Sequence, residues 1–190
     1  MPLVTLIGYR GSGKSSVATL LAERLGCGWS DADEVLERET GSSIAALIGS
    51  RGEGFFRDRE AELLGRLLVE EPGVLATGGG VILRADNRSL LRRKGRPVVW
   101  LTAPAAVLRE RLAADPATAA RRPALTGGDV LDEVAGALAE REPLYRQTAD
   151  ALINVADASP DDLATSIAAW LARRPTTAAV SGDAAPEAIG

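Results

Sequence analysis

The stretch Gly8-Tyr9-Arg10-Gly11-Ser12-Gly13-Lys14-Ser15 constrains this chain more than any other part of it. It fits G-x-x-x-x-G-K-[ST], a loop whose backbone amides cradle phosphate groups. Its flanks fit too. Leu3-Val4-Thr5-Leu6-Ile7 is an apolar, partly β-branched run, as expected of a buried strand in a parallel sheet. Val17, Leu20, Leu21 and Leu25 recur at helical spacing, which predicts a helix from near Lys14 to Gly26. Strand, glycine loop and helix in that order aim backbone N–H groups and a helix N-terminus at an oxyanion. Gly11, Ser12, Gly13, Lys14, Ser15 and Ser16 are therefore the candidate nucleotide ligands. Lys14 would reach the β- and γ-phosphates, and the Ser15 hydroxyl would bind Mg²⁺. Only two of the 22 cationic residues are lysines, and one stands here, where a compact point charge suits a phosphate cradle.

Composition narrows the function classes. At 190 residues, 46% hydrophobic and 25% charged, the chain has the size and balance of one globular domain. A net charge of −4 leaves no dominant basic field and argues against a nucleic-acid partner. The absence of histidine removes imidazole from consideration, so a general base must be a carboxylate, lysine, tyrosine or cysteine. The single cysteine, Cys27, cannot close an internal disulfide, which fits a reducing cytoplasm. The N-terminus runs straight into the first strand, so neither a signal peptide nor a membrane span is expected.

Strands are expected at residues 3–7, 28–30, 73–76, 97–101 and 151–155. Helical segments are expected at 14–26, 34–40, 42–48, 53–69, 81–91, 104–113, 130–147 and 160–173. This alternation predicts an α/β domain over 1–174, a parallel sheet of about five strands with helices on both faces. Residues 115–128 lack a continuous apolar face, carry Arg121 and Arg122, and are expected to form a mobile lid. Residues 175–190 are mostly Ala, Thr, Ser, Gly and Pro, and disorder is expected there.

Three further signals lie where ligands bind in open α/β sheets, after the carboxyl ends of strands. Asp31-x-Asp33 places two acids after the second strand, the arrangement phosphoryl transfer uses for a metal and an acceptor hydroxyl. Gly78-Gly79-Gly80 follows the third strand and offers a backbone surface that a ligand can approach closely. Arg57, with Glu60 three residues on, is either a surface ion pair worth a few tenths of a kcal/mol or a clamp for a carboxylate substrate. The basic stretch from Arg84 to Arg96 reads as a solvated helix face and C-terminus.

Gly8 to Ser15, Asp31-x-Asp33, Phe56-Arg57-x-x-Glu60, Gly78-Gly79-Gly80, Arg122-Pro123-x-Leu125 and Glu140-Arg141-x-Pro143-Leu144-Tyr145-Arg146 together resemble the shikimate kinase family. The resemblance covers about residues 3–173, in that family's order and spacing. It implies a nucleoside-monophosphate-kinase-like, three-layer fold with strand order 2-3-1-4-5 and a lid. It also implies ATP- and Mg²⁺-dependent phosphorylation of the 3-hydroxyl of shikimate, on the route to chorismate and the aromatic amino acids. By motif, Lys14, Asp33 and Arg122 would be catalytic, and Arg122 would also meet ATP. Asp33, Arg57, Gly78, Gly79, Gly80 and Arg141 would bind shikimate, and Ser15 and Asp31 would serve the metal. ATP and shikimate are then the small-molecule partners of a cytoplasmic monomer. Ile48 stands where that family would have an aromatic at the substrate, and Arg121 beside Arg122 leaves open which one enters the site. A gluconate kinase would share loop and fold, but has no reason to keep two carboxylate-binding arginines together with the triple glycine and Asp33. A GTPase switch would carry Asn-Lys-x-Asp, and Asn154-Val155-Ala156-Asp157 lacks the lysine.

Overall fold

The apolar runs form one parallel sheet from β1 (Val4–Ile7), β2 (Trp29–Asp31), β3 (Val74–Ala76), β4 (Val98–Thr102), β5 (Ala151–Asn154) and β6 (Glu187–Ala188). Their order across the sheet is β2-β3-β1-β4-β5-β6. The computed structural model describes residues 2–70, 73–114, 130–174 and 185–190. The helices are α1 (Lys14–Leu25), α2 (Ala32–Thr40), α3 (Ile44–Glu70), α4 (Ala85–Lys94), α5 (Ala105–Ala114), α6 (Val130–Thr148) and α7 (Pro160–Arg173).

Successive side chains of a strand point to opposite faces, and the sheet separates two cores on that basis. Val4, Leu6, Val99 and Leu101 join Val17 and Leu21 of α1 and Leu163 and Ile167 of α7 on one face. Ile7, Leu75, Val98 and Trp100 join Phe56, Leu64 and Leu68 of α3 and Tyr145 of α6 on the other. Full burial of each large side chain contributes about 1.5–3 kcal/mol, which fixes both helical layers on the sheet. β1 lies at the centre, with Leu6 paired to Ala76 on one side and Val99 on the other. The phosphate loop that leaves β1 therefore emerges from the most constrained strand.

The α/β class and the central strand order 2-3-1-4-5 are as expected, with a sixth strand added. That strand corrects the expectation for the tail. Residues 185–190 are laid along β5, with Glu187 N donating to Asp150 O (3.0 Å) and Ile189 N to Leu152 O (2.8 Å). The Ile189 side chain is buried, and Trp170 Nε1 donates to Glu187 Oε2 at 2.9 Å. Apolar content was too low to suggest docking, but an open sheet edge offers unpaired backbone groups to any extended segment. The rest of the tail, 175–184, lies outside the described residues, as does the candidate lid at 115–128.

Smaller boundaries shift for local reasons. The helices expected at 42–48 and 53–69 form one run, broken at Gly52 (φ 85°, ψ 161°). The helix expected at 81–91 divides into a 3₁₀ turn, Val81–Leu83, and α4. α2 begins at Ala32, because the Asp31 side chain caps it.

Candidate active site

The carboxyl ends of β1, β2 and β3 bring three loops to one edge of the sheet. After β1, Gly13 takes a left-handed conformation (φ 82°) and caps α1 with no side-chain hydrogen bond, leaving the first-turn amides to face a ligand. A Cβ on Gly8 would lie 2.5 Å from Leu101 O, so the loop turns against β4 only with glycine there. The buried Lys14 ammonium donates to Gly8 O (2.9 Å) and Tyr9 O (3.0 Å). These neutral carbonyls hold the charge in the loop, and phosphate oxygens, which bind an ammonium more strongly, would displace them.

Asp31 joins the loops after β1 and β2. Its Oδ2 accepts from Ser15 Oγ at 2.5 Å, and its Oδ1 accepts from Asp33 N at 2.9 Å. One carboxylate thus caps α2 and fixes the start of α1. The Ser15 and Asp31 oxygens form a hard donor pair beside the phosphate cradle, which suits Mg²⁺, an ion that keeps several waters and completes its shell with phosphate oxygens. Among the described residues, no cluster of three or more acids, cysteines or histidines would form a cage for a metal, and a phosphate-borne Mg²⁺ needs none.

The loop after β3 explains its three glycines one by one. A Cβ on Gly78 would lie 2.6 Å from Asp33 Oδ1 and 2.8 Å from Glu60 Oε1. On Gly79 it would lie 3.0 Å from Arg10 N, and on Gly80 2.3 Å from Arg57 Nη1. The acid of α2, the phosphate loop and the arginine of α3 therefore each use one glycine as a seat. Gly79 O accepts from Tyr145 Oη at 2.7 Å, and the Tyr145 ring stacks on Trp100 with centroids 5.5 Å apart. Burial pushes the Tyr145 hydroxyl far above its ordinary range, so it stays protonated and donates.

Arg57 is 9% exposed and Glu60 5%, so their contact is not a surface ion pair. Arg57 Nη1 donates to Glu60 Oε2 (2.8 Å), and Nη2 donates to Glu53 Oε1 (3.1 Å). Burial acts to lower the Arg57 guanidinium, but the charges and hydrogen bonds of Glu60 and Glu53 outweigh it and hold the group above its ordinary value. Arg141 lies with its Cζ 5.3 Å from the Tyr9 ring centroid. Arg121 and Arg122 fall outside the described residues. All the other candidate residues meet around one phosphate loop.

Two cavities open beside that loop. One, of about 270 Å³, is lined by Lys14, Ser15, Asp31, Asp33, Thr77 and Gly79 among others. Ile44 borders it, whereas Ile48 packs against the α3 core. The second, of about 280 Å³, is lined by Gly11, Ser12, Gly13, Arg111, Ala158 and Pro160. Sequence reasoning missed this second cavity, since Arg111 and Pro160 form no local motif with the loop. It also missed Glu53, whose i,i+4 spacing to Arg57 was a visible signal, and Tyr145 as a donor to Gly79.

A protein-family model described as shikimate kinase matches residues 10–172. The chain belongs to the shikimate kinase family. Within the family it is 46% identical over 154 residues to the shikimate kinase of Oleidesulfovibrio alaskensis, covering 81% of this chain and 88% of that one. It is 40% identical over 171 residues to the shikimate kinase of Symbiobacterium thermophilum, covering 90% and 97%. Among solved structures, shikimate kinase from Acinetobacter baumannii in complex with shikimate aligns with a TM-score of 0.82 at 36% identity, over 89% of this chain and 92% of that one. A gluconokinase from Sinorhizobium meliloti aligns at 0.53 and 20% identity over 90% and 91%, a likeness of fold alone. Among the described residues, no helix of this shikimate kinase family member is long and apolar enough to cross a membrane.

Proposed function

We propose that this protein transfers the γ-phosphoryl group of ATP to the 3-hydroxyl of shikimate. The observation that carries the reading is the seating of Asp33, the phosphate loop and Arg57 on three consecutive glycines. A proton acceptor, a phosphate cradle and a carboxylate fork are thereby held within one small loop. Membership of the shikimate kinase family supports shikimate, a carboxylate-bearing polyol, as the acceptor.

In this reading the loop amides and Lys14 bind the β- and γ-phosphates. The nucleoside extends into the cavity beside Arg111 and Pro160, on the flank of the loop away from Asp33. Ser15 and Asp31 would hold Mg²⁺, whose charge would neutralise the phosphate oxygens. Arg57 and Arg141 take the shikimate carboxylate, the former as a planar fork already fixed by two acids. Asp33 accepts the proton of the attacking hydroxyl as the new P–O bond forms and the bond to the ADP oxygen breaks. Lys14 balances the negative charge that develops on the bridging oxygen. Arg122, carried over by motif, would close over the phosphates, and residues 1–174 would be the whole catalytic unit. Cys27, the single cysteine, is compatible with work in a reducing cytoplasm.

The test is a coupled ADP-release assay with shikimate, with gluconate and without an acceptor. ADP release is expected to depend on shikimate. Equal turnover with gluconate, or turnover independent of any acceptor, would refute the reading.

A further inference from the structure

The two arginines assigned to the substrate carboxylate are held in different ways. Arg57 is tied to Glu60 and Glu53 through Nη1, Nη2 and Nε. Among the described residues no hydrogen bond or ion pair holds Arg141, which sits on α6 and is only partly buried. Its guanidinium instead lies over the face of Tyr9, Cζ 5.3 Å from the centroid, within cation–π range. The Tyr9 ring is a fixed platform. The residue is 4% exposed, its carbonyl accepts from Lys14 Nζ at 3.0 Å, and its backbone abuts Gly79.

From this geometry we infer that Tyr9 is a positioning residue for Arg141 and thereby a determinant of shikimate affinity. A guanidinium with no carboxylate partner samples many rotamers, and each must be given up when substrate binds. The aromatic face reduces that loss. It attracts the cation without competing for its N–H donors, which lie in the guanidinium plane and stay available for a fork-to-fork bond with the substrate carboxylate. A glutamate in the same place would occupy those donors. Tyr9 is also the x that follows the first glycine of the phosphate loop, a position at which the motif specifies no side chain. The inference rests on Arg141 binding the shikimate carboxylate, and its test separates the two claims.

Tyr9→Leu keeps apolar bulk but removes the π face, whereas Tyr9→Phe keeps the face and removes only the hydroxyl. Loss of an exposed to partly buried cation–π contact predicts a rise of roughly two- to fivefold in shikimate KM for Tyr9→Leu. ATP KM should stay at the parental value, and Tyr9→Phe should restore the parental shikimate KM. In an Arg141→Ala background, where shikimate KM is already raised, Tyr9→Leu should add nothing. Should leucine lower the melting temperature enough to leave unfolded protein, Tyr9→Met makes the same comparison. A parental shikimate KM in Tyr9→Leu, beside a raised one in Arg141→Ala, overturns the role of Tyr9 alone. An equal rise in both substrates' KM, or an undiminished effect in the Arg141→Ala background, overturns it also, by showing that the ring merely shapes the phosphate loop. A parental shikimate KM in Arg141→Ala overturns the carboxylate assignment itself.

Discussion

Gly80→Ala isolates the seat of Arg57 from every other property of the site. Gly80 has φ −105° and ψ 2°, which alanine adopts without difficulty, so the substitution carries no backbone strain. The added methyl would lie 2.3 Å from Arg57 Nη1, 2.6 Å from Nη2 and 2.7 Å from Cζ. Ordinary contact requires the guanidinium to retreat by about 1 Å. That shift stretches the 2.8 Å bond to Glu60 and the 3.1 Å bond to Glu53 beyond hydrogen-bond length. Each bond involves a charge in a mostly buried place, so losing one costs about 1.5–3 kcal/mol. For a domain of this size the melting temperature should fall by roughly 3–12 °C. If the same displacement removes one charge-assisted bond to shikimate, shikimate KM should rise about ten- to 150-fold, with ATP KM nearly unchanged.

The decisive assay is a double-mutant cycle on shikimate KM and melting temperature. In an Arg57→Ala background the methyl meets no guanidinium, and Gly80→Ala should cost less than about 0.5 kcal/mol on either readout. Full additivity of the two substitutions would refute the reasoning, because the damage would then come from the loop and not from Arg57. The buried pair also has a consequence for Arg57→Lys. That variant should lose stability as well as shikimate affinity, since one ammonium cannot satisfy both Glu60 and Glu53.

Asp33→Asn should reduce kcat far more than Asp31→Glu, as only the former removes a proton acceptor beside Gly78; equal losses would show the roles are divided otherwise. Asp31→Glu should separately lose about 1 kcal/mol of stability in thermal melts, because Asp31 caps α2. Deleting residues 185–190 should lower the melting temperature by roughly 2–8 °C, from loss of Ile189 burial and the Trp170–Glu187 bond, while kcat is retained. An unchanged melt would mean the segment does not dock in solution. Arg122→Ala should lower kcat well beyond Arg121→Ala, and the reverse order would assign the phosphate contact to Arg121.

What the sequence determined by itself is local in origin. β1, the glycine loop and α1 were legible because an apolar run, three positive-φ glycines and a 3.6-residue period each act within a few residues of chain. Asp31, Asp33 and the triple glycine could be placed at strand ends for the same reason, and the ordered set of motifs pointed to the family. Tertiary structure decided what those residues do to one another. Gly78 to Gly80 lack side chains because Asp33, the phosphate loop and Arg57 press on them, and those contacts join segments 20 to 70 residues apart in sequence. Arg57 and Glu60 have the spacing of any exposed helical pair; only the sheet and the β3 loop packed over α3 make them a buried one. The tail gave no apolar signal strong enough to predict docking. Its strand exists because β5 is an edge, and an edge binds backbone whatever the side chains are, provided one of them, here Ile189, finds a place in the core.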